Sequence, residues 1–385
     1  MKKFLSIALS FALLLSVGSC AGGGESSTTE TSETSAPETT TQAAQTTSAP
    51  ETTQAPATDV KVGIAMPTKD LQRWNQDGSN MKEKFEAAGY EVDLQYANND
   101  SATQVSQIEN MITGGCKVLV IAAINAGSLG TALAEAKNQN IPVIAYDRLI
   151  MDTDAVSYYA TFDNYLVGKI QGEYIRDALK LDSEAGPFNI ELFTGDPGDN
   201  NIHFFFGGAM DVLQPYIDEG KLVVPSGQTA IEAVATQDWS SEASQARMEN
   251  LISAYYTQGA KLDAVLSSND SVANGITNAL VGAGYTAEDF PILTGQDCDV
   301  TSVKNMLAGL QSMSIFKDTR TLAAQVVEMV NAIVQGTEVP VNDTDTYDNG
   351  TGKIPSFLCV PVFATVDNYK ELLIDSGYYT EDQLK

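Results

Sequence analysis

Short apolar runs alternate with amphipathic stretches along residues 60–385. Val60–Met66, Val118–Ala122 and Val143–Tyr146 are mostly aliphatic and have the length of buried strands. Between these runs, apolar residues recur every three or four positions, as Met81 and Phe85 do, and this spacing predicts helices. Strands that alternate with single helices indicate a parallel sheet whose two faces are covered by helices.

The same pattern begins again after Asn164. A long helix is predicted from there to about Lys180, and strands are predicted at Asn189–Phe193, Ala264–Ser267 and Ile292–Thr294. Two consecutive series of strands and helices favour an α/β fold with two doubly wound parallel-sheet units.

Polar and planar side chains follow the predicted strands. Because ligands bind at the carboxyl ends of the strands in such sheets, these residues are the first candidates for a binding site. Any one of them could simply cap a helix, since Asp and Asn often do so. Taken together, they predict one polar pocket, formed by Arg73 and Trp74, Asp147 and Arg148, Asp199 and Asn201, Asn269 and Asp270, Gln296 and Asp297, and Lys317.

This set of side chains suits a sugar. Each sugar hydroxyl both donates and accepts hydrogen bonds, so it can satisfy carboxylates, amides and cations together. The chain has two tryptophans, Trp74 and Trp239, and both lie in polar stretches rather than apolar runs. We therefore interpret them as stacking surfaces for the apolar face of a sugar ring rather than as core residues.

The first 59 residues indicate export and anchoring. Lys2 and Lys3 precede the apolar run Phe4–Val17, which has the length of a signal peptide. The following Val17-Gly18-Ser19-Cys20 resembles a bacterial lipobox, which predicts lipid modification of Cys20; the alternative is an ordinary signal peptide with a chance cysteine. Residues 21–59 are rich in Ser, Thr, Glu, Ala and Pro, with no residues for a core, and predict a disordered linker.

Charge and composition exclude several classes of protein. The formal net charge is -28, which argues against nucleic acid or anionic lipid headgroups as partners. Cys116, Cys298 and Cys359 are widely spaced and predicted to be buried core residues. His203 is the single histidine, so a zinc site or a histidine-based triad is not expected. No metal site and no cofactor is predicted.

A group of motifs distributed over residues 60–385 resembles one known family. The chain is similar to the xylose-binding and multiple-monosaccharide-binding proteins of ABC importers. The resemblance rests on GIAM (63–66), RW (73–74), SQIENMI (106–112), VLVIAA (118–123), IAYDRLI (144–150), YYATFDN (158–164), GPFNIELF (186–193), GDPGDNN (195–201), SND (268–270), GQD (295–297), IFKDT (315–319) and GYYTEDQLK (377–385). This sequence differs from the family pattern in the cysteine at 298 and in Phe204-Phe205.

The resemblance implies a type I periplasmic-binding-protein fold, in which two lobes joined by three crossovers close on one sugar. The crossovers are expected near Asn164, Asp299 and Thr337. The resulting divisions are a signal peptide (1–19), a lipidated cysteine with its linker (20–59), an N-terminal lobe (60–164 and 300–337) and a C-terminal lobe (165–299 and 338–385). The resemblance assigns twelve residues to sugar binding, namely the eleven of the predicted pocket and Trp239. They are Arg73, Trp74, Asp147 and Arg148 from the first lobe, Asp199, Asn201, Trp239, Asn269 and Asp270 from the second, and Gln296, Asp297 and Lys317 near the hinge. Trp74 and Trp239 would sandwich the ring.

The function implied is that of an extracytoplasmic, membrane-anchored receptor that delivers a monosaccharide, such as xylose, glucose or galactose, to a membrane permease. A sugar-sensing co-receptor for a chemoreceptor or sensor kinase is the alternative, since it would use the same pocket. An enzyme is not expected, because the sequence contains no nucleophile elbow, phosphate-binding loop or dinucleotide fingerprint. A glycosidase would require two carboxylates placed for hydrolysis.

Overall fold

The computed structural model of the protein describes residues 59–257 and 259–385. The predicted signal peptide, Cys20 and all but the last residue of the predicted linker lie outside the described residues. None of the helices in these two ranges combines the length and the apolar character that a bilayer-spanning segment requires.

Twelve strands occur in the described part of the chain. In chain order they are Lys61–Met66 (β1), Glu91–Tyr96 (β2), Val118–Ile121 (β3), Val143–Tyr146 (β4), Tyr158–Phe162 (β5), Phe188–Phe193 (β6), Leu222–Val223 (β7), Ala264–Ser267 (β8), Ile292–Leu293 (β9), Ser314–Phe316 (β10), Ser356–Cys359 (β11) and Val362–Ala364 (β12).

The α-helices of the same part of the chain connect these strands. They are Gln72–Ala87 (α1), Ser101–Thr113 (α2), Gly130–Asn138 (α3), Asn164–Ala178 (α4), Asn201–Asp218 (α5), Ile231–Val234 (α6), Ser241–Leu251 (α7), Asp270–Gly282 (α8), Val300–Leu307 (α9) and Thr319–Gln335 (α10). Short 3-10 turns at Gln237–Trp239 and Glu381–Leu384 and short π-helices at Ile252–Tyr256 and Lys370–Asp375 complete the set.

The first lobe is built on a six-stranded sheet in the order β11-β5-β4-β3-β1-β2, and all its strands are parallel. In β3, Val118 and Val120 belong to one hydrophobic core, whereas Leu119 and Ile121 belong to another. Successive side chains of a strand point to opposite faces, so both faces of this sheet are covered. This explains why the strands of the lobe appear in the sequence as continuous apolar runs.

The second lobe repeats this arrangement around the parallel order β7-β6-β8-β9. A bridge between Gln296 and Ile315 places β10 beside the end of β9, and β10 pairs antiparallel with β12. In β6, Leu192 and Phe193 face different cores, so this sheet also has two covered faces. The prediction of two doubly wound α/β units is therefore confirmed.

The chain passes between the lobes three times: after β5, between β10 and α10, and between β11 and β12. We predicted the second and third crossovers near Asp299 and Thr337, and both positions were wrong. Residues 300–316 pack in the second lobe, where Val303 and Phe316 share a core with Ala364. Helix α10 packs in the first lobe, and residues 338–359 remain there, because β11 pairs with β5. Neither β11 nor β12 exceeds four residues, so their apolar pattern was too short to recognise.

Helices α4 and α5 of the second lobe cross at very short distance. A Cβ atom added to Gly168 would overlap the backbone carbonyl oxygen of Phe205, and one added to Gly208 would overlap that of Tyr165. Glycine at these positions allows the two backbones to approach each other. The crossing matters for the site described below, because α5 begins with Asn201 and carries Phe205.

The three cysteines of the described residues, Cys116, Cys298 and Cys359, are free and buried. The prediction that all three are core residues is confirmed. Burial raises the pKa of the Cys116 and Cys359 thiols to about 11, so both are protonated at neutral pH.

Candidate functional site

A polar cavity lies between the two lobes. The cavity and its opening to solvent contain about 410 Å³ not filled by atoms. Eleven of the twelve predicted site residues line it: Arg73, Trp74, Asp147, Arg148, Asp199, Asn201, Trp239, Asn269, Gln296, Asp297 and Lys317. Leu71, Phe205, Ser271 and Asp299 line it as well.

These side chains reach the cavity because the strands of both sheets end beside it. Asp147 and Arg148 directly follow β4, and Lys317 directly follows β10. Asn269 is the N-cap of α8, and its side chain accepts a hydrogen bond from the backbone N–H of Val272. The side chains that follow the strands therefore converge on one cavity, as the sequence pattern predicted, while their contact with a ligand stays a prediction.

Arg73 is the centre of a buried ion cluster. Its Nε donates to Asp77 at 2.9 Å, one terminal nitrogen donates to Asp297 at 3.0 Å, and the other donates to Asp147. The Lys317 Nζ lies 3.2 Å from Asp297 and 3.7 Å from Asp147. Since Arg73 and Asp147 come from the first lobe and Asp297 from the second, the cluster connects the lobes beside the cavity.

The cluster changes the acidity of its members. Burial disfavours ionisation of Asp147, but the positive charges of Arg73, Lys317 and Arg148 outweigh it and lower the pKa of this carboxyl. Asp77 lies deeper, and burial raises its pKa to about 6 despite the charge of Arg73. Asp147 is therefore ionised at neutral pH and acts as a hydrogen-bond acceptor at the cavity.

A second pair of charges connects the lobes through Arg148. Its Nε lies 3.0 Å from Asp199, which belongs to the other lobe, and one terminal nitrogen donates to the carbonyl oxygen of Ala123. The Asn201 amide donates to the backbone oxygen of Asp147 at 2.8 Å. These bonds hold the strand ends of the two lobes together in a closed arrangement.

The two tryptophans are more buried than the sequence suggested. Trp74 is 3% exposed and packs in the first-lobe core, with the guanidinium groups of Arg73 and Arg148 at 5.2 and 5.0 Å from its ring centre. Trp239 is 5% exposed and packs in the second-lobe core. Each ring is thus both a core residue and part of the cavity lining, whereas we had expected only the second role.

Trp239 occupies a space that Gly195 provides. A Cβ atom added to Gly195 would overlap the indole ring, and Phe205 meets that ring edge-to-face with the centroids 6.2 Å apart. The indole Nε1 is buried and has no hydrogen-bond partner among the described residues. A ligand in the cavity could accept a hydrogen bond from this N–H.

Asp270 is the predicted site residue that the structure does not place in the cavity lining. Its carboxylate is fully buried and accepts hydrogen bonds from the side chains of Gln311 and Ser314 and from the backbone N–H of Asp299. Burial, with the charges of Asp299 and Asp297, raises the pKa of Asp270 well above its usual value. This carboxyl supports the loop that forms the cavity rather than facing the cavity itself.

Four lining residues were not predicted. Phe205 follows Asn201 by four positions on α5, so helical spacing could have indicated it. Ser271 immediately follows the predicted Asp270, Asp299 lies two residues beyond the predicted Asp297, and Leu71 immediately precedes α1. Among residues 59–257 and 259–385, no group of three or more His, Cys, Asp or Glu side chains is arranged to hold a metal ion.

Comparisons with known proteins point to one family. A model of the periplasmic binding protein domain matches residues 62–338. The multiple sugar-binding periplasmic protein SbpA of Azospirillum brasilense is 53% identical over 326 residues, which cover 84% of this chain and 91% of the relative. The D-xylose-binding periplasmic protein of Escherichia coli K12 is 37% identical over 328 residues, covering 85% of this chain and 93% of the relative.

A solved structure shows the same fold. It is an ABC transporter solute binding protein from Clostridium phytofermentans with bound β-D-glucose, 69% identical to this chain and superimposing with a TM-score of 0.83. The similarity covers 84% of this chain and all of the solved chain. The architecture described above is thus the type I periplasmic-binding-protein fold.

Proposed function

The chain belongs to the periplasmic binding protein domain family, and from this premise we propose that it captures a neutral monosaccharide outside the cytoplasm for an ABC importer. Glucose and xylose are the first candidates. The relatives support this choice, since the solved chain from Clostridium phytofermentans holds β-D-glucose and the Escherichia coli relative is named for D-xylose.

The observation that carries the proposal is the internal pairing of charges in the cavity. Arg73, Arg148 and Lys317 each lie within ion-pair distance of a carboxylate that also lines the cavity. A ligand that brought a full charge would compete with these pairs, whereas neutral hydroxyl groups can bond to the free lone pairs and N–H groups of the same side chains. Two buried tryptophans and Phe205 add apolar surface for the C–H face of a sugar ring.

Isothermal titration of the purified protein with single sugars tests the proposal. The panel contains xylose, glucose, galactose, arabinose and ribose, with a disaccharide as a size control. We expect micromolar or tighter binding to xylose, glucose or galactose. If none of these sugars produces heat or a shift in melting temperature, the cavity binds another class of ligand.

Removing the Trp239 ring tests the stacking contact. Trp239→Ala is expected to weaken binding of the preferred sugar at least about tenfold, because an aromatic contact contributes about 1.5 kcal/mol. Tyr255→Ala is the matched control, since Tyr255 is an exposed aromatic residue that does not line the cavity. Equal affinities for Trp239→Ala and the control would contradict the stacking contact.

We extend the proposal to anchoring at the membrane through Cys20, which lies outside the described residues. Cys20→Ala is expected to move the protein from the membrane fraction to the soluble extracytoplasmic fraction, because the lipid attachment site is lost. Ser27→Ala, a change in the neighbouring polar segment, serves as the control and is expected to remain membrane-bound. Membrane association of Cys20→Ala, measured by fractionation and immunoblotting, would argue against the lipobox.

A further inference from the structure

Asp299 differs from the other carboxylates that line the cavity. Asp147 and Asp297 pair with Arg73 and Lys317, and Asp199 pairs with Arg148. Asp299 has no ion-pair partner among the described residues, and its Oδ1 is buried without a hydrogen-bond partner there. A buried carboxylate oxygen without a partner is unfavourable, so its retention in the lining of a ligand cavity requires an explanation.

Helix capping does not explain this carboxylate. Asp299 is the N-cap residue of α9, where an Asp side chain ordinarily accepts a hydrogen bond from the first turn of the helix. The side chain of Asp299 makes no such bond. The residue thus occupies a capping position while its carboxyl group lines the cavity.

Backbone angles and hydrogen bonds next to Asp299 fix the direction of its side chain toward the cavity. Asp297 and Cys298 both have left-handed backbone angles, with φ of 97° and 51°. Cys298 donates its N–H to the Ser314 hydroxyl at 3.0 Å, and Asp299 donates its N–H to Asp270 at 2.8 Å. Cys298 is fully buried in the second-lobe core, which leaves the side chains on either side of it to face the cavity.

We propose that Asp299 is an additional ligand-binding residue of this cavity, whose unpaired carboxylate oxygen accepts a hydrogen bond from one sugar hydroxyl and so selects sugars that carry a hydroxyl at that position. This inference rests on the proposed function. Asp270, which the sequence predicted as a ligand contact, acts in this arrangement as the positioning residue that holds the Asp299 backbone.

The chemistry of the surrounding groups favours a hydroxyl donor. The other carboxylates of the lining share their oxygens with cationic partners, whereas Asp299 is the lining carboxylate with no cationic partner among the described residues, and its Oδ1 is free to accept a hydrogen bond from the ligand. Burial, together with the charge of Asp297, raises the pKa of Asp299 to about 7, with Arg73 acting in the opposite direction. At pH 8 the group is mostly ionised and can only accept hydrogen bonds, so the test is made at this pH.

The experiment is a titration cycle at pH 8 with the intact purified protein. Wild type and Asp299→Ala are titrated with the preferred sugar of the wild type and with each of its monodeoxy analogues. We expect Asp299→Ala to bind the parent sugar at least about tenfold more weakly. For the wild type, one analogue is expected to bind at least about tenfold more weakly than the parent sugar. For Asp299→Ala, the same analogue is expected to bind about as well as the parent sugar, because the carboxylate that would bond to the missing hydroxyl is already absent.

Two controls keep the result interpretable. Glu288→Ala removes an exposed carboxylate outside the cavity lining and is expected to leave affinity unchanged. If Asp299→Ala does not fold, Asp299→Asn, which keeps the shape and one acceptor oxygen without the charge, is titrated in its place. Its expected result is a smaller loss that is still confined to the same hydroxyl.

Three outcomes would overturn the inference. Unchanged affinity of Asp299→Ala excludes a contact with the ligand. A weakening by the same factor for the parent sugar and every analogue means that Asp299 acts only through the loop structure. Failure of the wild type to bind any sugar in the panel rejects the proposed function itself. This result is distinct from a failure of the Asp299 inference, because it is obtained with the wild type alone, before any variant is compared.

Discussion

Arg73→Ala is expected to weaken sugar binding by about a hundredfold and to lower the free energy of unfolding by about 3–5 kcal/mol. Arg73 is 7% exposed and donates to three carboxylates: Asp77, Asp147 and Asp297. Removing the guanidinium leaves these negative charges close together in a buried site, with Lys317 and Arg148 as the remaining nearby cations. The loss therefore affects both the cavity and the connection between the lobes.

Chemical denaturation measures the effect on stability, and isothermal titration measures the effect on affinity. Arg320→Ala is the matched control: Arg320 pairs with Asp318 at 2.7 Å, but its side chain is 31% exposed. Such a pair contributes about 0–1 kcal/mol. Similar stabilities for the two variants would show that the cluster around Arg73 contributes no more than a surface ion pair.

Gly168→Ala is expected to destabilise the protein by about 3 kcal/mol or more, although alanine is the better helix former by about 1 kcal/mol. The added methyl group would overlap the backbone of α5 at Phe205. Backbone atoms cannot rotate away as a side chain can, so α4 and α5 must separate. Since α5 carries Asn201 and Phe205, sugar affinity is expected to fall as well.

Gly207→Ala is the control for Gly168→Ala, and it is expected to increase the stability of the protein. Gly207 directly precedes Gly208, one of the two glycines at the helix crossing. A Cβ atom at Gly207 meets no atom within 4 Å. This variant should be stabilised by about 0.5–1 kcal/mol through helix propensity alone. Thermal and chemical unfolding of both variants measure the difference. A stabilised Gly168→Ala would mean that the two helices can separate without loss of packing.

The central strands and most of the cavity lining could be predicted because both depend on short-range sequence patterns. Val143–Tyr146 was predicted with the bounds that the structure has, since a fully buried parallel strand is apolar at every position. Asp147 and Arg148 follow directly from that strand, because the carboxyl edge of the sheet places them in the cavity.

The errors concern properties that depend on distant parts of the chain. Asp270 fits the pattern of a ligand residue, but Gln311 and Ser314 turn its carboxylate away from the cavity, and no local pattern encodes these contacts. For Asp299 the error is the reverse: its position at a helix start suggests a structural cap, whereas its side chain lines the cavity. The burial of Trp74 likewise depends on core residues from several strands.

The pairing of β11 with β5 has a consequence for the order in which the protein can fold during synthesis. Phe357 lies opposite Ala160 although more than half of the chain separates them, and α10 packs against α1 in the same lobe. Contacts between residues so distant in sequence are slow to form, because a long loop must close before any contact energy is gained. The lobe that is synthesised first is thus not completed first: its sheet remains open at β5 until strands β6 to β10 of the second lobe have been made.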